Sequence, residues 1–117
     1  MLYGYPCEDA ECILGAVSEA IGREVRPISG HGREDDLVGD LLRDALADRF
    51  GAGTPKVLMF VGMTDEEIHR AMTAFPGDGI GIERPIFCMP TEDNVTWTLV
   101  TLLDSLAAEH EELAGGG

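Results

Sequence analysis

Basic residues are scarce in this chain. Eight lysines and arginines stand against 22 aspartates and glutamates in 117 residues, a formal charge of −14. A surface this negative repels phosphate backbones and anionic lipid, which argues against nucleic-acid and membrane partners. The same charge favours solubility and would steer a basic partner or a cation. Cysteines are also few: Cys7, Cys12 and Cys88. An odd, sparse set is no disulfide framework. No basic leader with a long apolar run follows Met1, so no secretory signal is visible, and no stretch is long enough to span a bilayer. A reducing cytoplasm is the expected compartment. No Ser-His-Asp or Cys-His arrangement stands out around His69 or His110, so hydrolase chemistry has no support.

What the sequence does contain is ordinary for a globular domain: 44% apolar and 26% charged residues. A single α/β domain over residues 1–114 is expected, with 115–117 as a flexible tail. Residues 1–5 read as a short strand. Ala10, Ile13, Leu14, Val17 and Ile21 recur at helical spacing and predict a first helix from about residue 8, stopped by Gly22. A second strand is expected over 24–28. Leu37, Val38, Leu41, Leu42 and Ala45 predict a second helix, from Asp35 or Asp36 to Phe50. Val57-Leu58-Met59-Phe60-Val61 is an unbroken apolar run that suits a strand buried on both faces. Thr64-Asp65-Glu66-Glu67 is a capping-box signature for a third helix, with Ile68, Ala71, Met72 and Phe75 as its buried stripe. A fourth strand is expected over 83–88. A long last helix should start near Asp93 or Asn94, with Val95, Leu99, Leu102, Leu103, Leu106, His110 and Leu113 along it.

One helix between successive strands predicts parallel pairing. Pro27 and Pro85 fall in the second and fourth strands and push both to the edges. The expected fold is a three-layer α/β domain with a four-stranded, mostly parallel sheet in the order 2-1-3-4 and helices on both faces. Right-handed crossovers place the first helix on one face and the second and third on the other, with the last helix returning to the first face. Arg26-Pro27-Ile28 reappears as Arg84-Pro85-Ile86, each ahead of an acidic helix start. The chain therefore reads as two βαβα repeats, 1–53 and 54–114, the first a divergent copy of the second.

The second half carries a more specific pattern. It runs from Val57-Leu58-Met59-Phe60 and Gly62-Met63-Thr64 to Thr91, Asn94, Trp97-Thr98-Leu99, Leu102-Leu103, Leu106 and Glu109-His110. Over about residues 56–112 it resembles the prokaryotic domain-of-unknown-function family 3783. The resemblance implies the organisation and brings no activity, substrate or catalytic residue. The first half lacks the tryptophan and the Glu-His pair.

In a doubly wound sheet, ligands sit where the crossover direction switches. That crevice is expected between the first and third strands, which makes Cys7, Met63, Thr64 and Asn94 ligand candidates. Asn94 is also read as a helix cap. Neighbouring loops would add His31, Cys88 and Met89 to the same rim. Cys7, His31, Cys88 and Met89 are donors suited to Zn or Cu(I), although they form no chelating motif, and small sulfur residues also simply fill space. Cys7 at a helix start is a candidate reactive thiol, opposed by Glu8, Asp9 and Glu11. Gly77, Gly79 and Gly81 follow a helix and precede a strand, so they read as a turn and not as a phosphate loop. Asp36, Asp40 and Asp44 form an acidic stripe, read as a solvated face. Trp97, the only tryptophan, anchors either the last helix or an interface.

With no catalytic constellation, the reading is a small, acidic, non-enzymatic binding or regulatory module that meets a protein partner or a second copy of itself. The alternatives are a soft-metal or thiol protein using the rim, and a small-molecule enzyme at the crevice.

Overall fold

Val57, Leu58, Met59 and Phe60 are all buried, because the strand they form lies in the middle of a sheet with helices on both sides. The computed structural model describes residues 1–25, 28–43, 50–53, 55–75, 82 and 84–115. Three strands form the sheet, in the order β1 (Leu2–Tyr3), β2 (Val57–Met59), β3 (Ile86–Cys88). β2 pairs antiparallel with β1, Leu2 opposite Leu58, and parallel with β3, Leu58 opposite Phe87. The helices are α1 (Cys7–Ile21), α2 (Val38–Arg43), α3 (Asp65–Ala74) and α4 (Leu99–Gly115), with a 3-10 turn at Asn94–Thr96 before α4.

Strand alternation divides the interior into two cores. Leu2, Leu58 and Phe60 face α1 and α3, meeting Ala10, Ile13, Val17, Ala71 and Phe75. Met1, Val57 and Met59 face α2 and α4, meeting Val38, Leu41, Leu99, Leu102 and Leu103. Local signals act as their chemistry requires. Gly22 ends α1 in the left-handed region at φ 75°, and its N–H donates to Ser18 O. Thr64 caps α3: its hydroxyl accepts from Glu67 N–H, and the Glu67 carboxylate accepts from Thr64 N–H. Pro85 immediately precedes β3, which is an edge strand.

The sheet corrects the expected fold in three ways. Among the described residues it has three strands where four were predicted, because the chain still holds to α1 at Val25. Val25 N–H donates back to Ser18 Oγ, and of the described residues of the predicted second strand and its end, Ile28 to Gly30 reach β1, through Leu2 N–H to Ile28 O and Gly30 N–H to Leu2 O. The result is a single parallel bridge, Leu2 to Ser29. The sheet is also mixed where mostly parallel pairing was predicted. The chain returns to the end of the sheet from which it departed: the His31 ring lies against Gly51, and Gly53 N–H donates to Gly4 O. β2 therefore starts where β1 finishes and runs back along it. Gly4 permits this approach. Its φ is +92°, and a Cβ there would sit 2.9 Å from both Gly53 O and Pro55 O.

The third correction follows from the second. Reversing β2 exchanges the partners of the helices, so α1 shares a face with α3 and α2 with α4. A four-stranded sheet of two βαβα repeats is therefore not the architecture. Several of the sequence readings fall outside the described residues: Arg26-Pro27, the second half of the second helix at 44–49, the glycine turn at 76–81, and Glu83. The last helix starts later than predicted, since Asn94 opens a 3-10 turn and the α-helix begins at Leu99.

Candidate functional site

Because β1 and β2 are antiparallel, the loops that follow them leave opposite ends of the sheet. Cys7 follows β1, while Met63 and Thr64 follow β2, so the predicted crevice between Cys7 and Met63 is not formed. The predicted rim is divided in the same way. Cys7 and His31 lie at one end, and Cys88 and Met89, which follow the parallel β3, lie at the other with Met63. Among the described residues, no group of three or more His, Cys, Asp and Glu side chains could hold a metal ion.

Most candidates have structural partners. Thr64 is committed to its capping box. Asn94 is buried and knits its own loop: Oδ1 accepts from Thr91 N–H at 2.7 Å, and Nδ2 donates to Met89 O at 3.1 Å. Cys7 and Cys12 are exposed, and the Cys7 thiol lies 3.8 Å from Glu11 Oε1. Burial pushes the Cys88 thiol up to about 11, so it keeps its proton at neutral pH. Beside it, the Met1 amino group donates to Met59 O at 2.8 Å, and burial lowers its pKa to about 5. Of the acidic stripe, Asp36 pairs with Arg33 and Asp40 lies 3.9 Å from Arg43, while Asp44 is outside the described residues. The His110 side chain is also outside them.

The surface feature that stands out is a groove between α2 and the 3-10 turn that precedes α4. Two extended segments meet there. Val38 N–H donates to Trp97 O, Leu99 N–H to Asp36 O, and Val100 N–H to Glu34 O, each at 2.8 Å. Thr98 Oγ1 accepts from Thr101 N–H at 3.4 Å. Two of the first-turn donors of α4, Leu99 N–H and Val100 N–H, are thus held by the other half of the chain, and Thr98 takes those of Thr101 and Leu102. Leu37 and Thr98 form an antiparallel bridge. Val38 and Leu99 are buried at this junction, while Leu37 and Val100 next to them face outward. They are 43% and 40% exposed, two of the three exposed large apolar side chains in the described residues.

Between these segments lies an open groove of about 460 Å³, lined by Leu37, Gly39, Asp40, Leu42, Val95 and Thr96, with Arg43 at its edge. Gly39 allows the two walls to approach, since a Cβ there would be 3.0 Å from Val95 O. Trp97 is half-buried and packs on the α2–α4 core beneath the site. Segments 33–43 and 92–104 carry seven acidic residues against two arginines, and both arginines lie close to acids of their own segment.

Sequence spacing assigns Leu37 to the second helix, which begins one residue later, and does not single out Val100. The available signal was that Val100 is an apolar residue lying off the Leu99-Leu102-Leu103-Leu106 stripe.

The site therefore belongs to a small three-layer α/β domain and is built from both halves of its chain. A family model described as "Domain of unknown function (DUF3783)" matches residues 56–113, from the residue before β2 into α4. The match covers β2, α3, β3 and most of α4, and none of the chain before residue 56. The match supplies one wall of the groove, Val95 and Thr96, while Leu37 and Gly39 precede it. No curated protein matches the chain, and no solved structure matches it.

Proposed function

We propose that this protein is a non-enzymatic protein-interaction module, and that the groove between α2 and the 3-10 turn before α4 receives a basic partner segment carrying an aliphatic anchor. The observation that carries this reading is exposed Leu37 on the groove wall, in an acidic surround, with a second exposed apolar residue, Val100, on α4 outside the groove lining. Apolar anchors contribute affinity at the centre of such a surface, and charge complementarity contributes association rate and selectivity. The net charge of −14 favours a basic partner over a second copy of this acidic chain. It likewise disfavours nucleic acid and anionic membrane. Among the described residues, no helix is long and apolar enough to cross a membrane. Three free cysteines suit a reducing cytoplasm.

A random peptide library displayed on phage tests the reading. Panning should enrich sequences with one or two aliphatic residues flanked by lysine or arginine, and panning against Leu37→Asp should not. Enrichment of acidic sequences, or equal enrichment on the variant, would overturn it.

A further inference from the structure

A second cavity shares, of its lining residues, only Leu42 with the groove. It has a volume of about 240 Å³ and sits where the end of α1 meets the end of β2. Leu14, Val17, Ile28, Met59, Val61 and Met63 supply much of an apolar lining. Engineered apolar cavities of about 150 Å³ bind benzene, so this volume is enough for a small organic guest. Methionines Met1, Met59 and Met63 all line it, and their unbranched thioethers adapt to guests of different shape.

The charged side chains that line the cavity are Arg23 and Glu24. Arg23 is already engaged: its Nε lies 2.8 Å from Glu67 Oε2, and its Nη2 lies 3.2 Å from Glu67 Oε1. Glu24 is exposed and has no such partner among the described residues. With Arg23 neutralised by Glu67, Glu24 is the charged side chain of the described lining left for a guest, and the molecule as a whole is acidic.

From this we infer that the cavity binds a small aliphatic amine, its chain among the methionines and its ammonium at Glu24. At about 30 Å³ per water-sized group, the volume accommodates a chain of about six to eight carbons.

The test compares butylamine, hexylamine and octylamine with the alcohols and carboxylates of the same lengths. Binding is read from the methyl resonances of protein labelled with ¹³C-methyl methionine. Amines should shift Met1, Met59 and Met63 and leave Met72 and Met89 in place. Affinity should rise about fourfold per methylene. Alcohols should bind more weakly than amines, and carboxylates more weakly still. Glu24→Gln, an exposed change, should bring the amine down to the level of the alcohol. Leu14→Phe should weaken all three series, and a retained methionine spectrum would show that this variant folds. Carboxylates binding as well as amines, no dependence on chain length, or shifts confined to Met72 and Met89 would each overturn the inference. None of these outcomes depends on the peptide groove.

Discussion

Arg23 grips Glu67 with two of its nitrogens, at 2.8 and 3.2 Å, and so ties the chain just beyond α1 to the first turn of α3. The same carboxylate accepts the N–H of Thr64 at 3.0 Å. One side chain therefore closes a helix cap and a contact between helices. The Arg23 hydrogen bond, followed by the Thr64 backbone bond, lowers the Glu67 pKa to about 2. A carboxyl group held below its unfolded value stabilises the fold above the unfolded pKa, and that contribution fades as pH falls toward the folded value. Melting temperature should drop between pH 4.5 and 2 in the native chain, and Glu67→Gln should remove part of that drop. Parallel pH curves for the two proteins would count against the assigned role. Thr64→Ala, which removes the hydroxyl cap, should cost about 1 kcal/mol in urea denaturation.

The Met1 amino group titrates in a different window. It is buried in the sheet and its pKa is lowered from 8.0 to about 5. Between those values the unfolded chain binds the proton and the folded chain does not, so stability rises with pH. Lowering the pH from 8 to 5 should cost up to about 4 kcal/mol from this group, at about 1.4 kcal/mol per unit. Urea denaturation at pH 5, 6.5 and 8 reads this directly. Stability that is flat over the interval, or rises as pH falls, would show that the amine is not desolvated as described.

Gly4 stands at the reversal that makes the sheet mixed. Gly4→Ala places a methyl group at φ +92° against two carbonyl oxygens, each 2.9 Å away. The loss should exceed about 1 kcal/mol. Gly15 lies within α1 and has open space where a Cβ would go, so Gly15→Ala should instead leave stability equal or higher. Equal melting temperatures for the two variants would contradict the close approach.

These contrasts show which features the sequence could reveal. Thr64 and Glu67 are three residues apart, so their reciprocal bonds are local and legible from spacing alone. Gly22 and the run Val57–Phe60 are legible for the same reason. The direction of β2 is not. It depends on His31 meeting Gly51 and Gly53 meeting Gly4, contacts between residues far apart in the chain that leave no periodic trace. The counting rule of one helix per crossover failed at that point, and the predicted crevice failed with it. The exposed apolar surface near the groove was partly visible as an apolar residue at position 100 beside an otherwise regular stripe. Its other wall required the pairing of Glu34–Asp36 with the start of α4, again a long-range relationship.

The central claim is that Leu37 and Val100 form a docking surface. The most direct measurement is the affinity of a peptide enriched on the native protein, read by fluorescence polarisation against native, Leu37→Asp and Val100→Asp proteins. Both residues are substantially exposed, so each variant should keep its stability within about 0.5 kcal/mol. The account predicts at least about a tenfold loss of affinity in each variant, and weaker binding to the native protein as salt is raised. Affinity unchanged in both variants, with melting temperatures also unchanged, would contradict it.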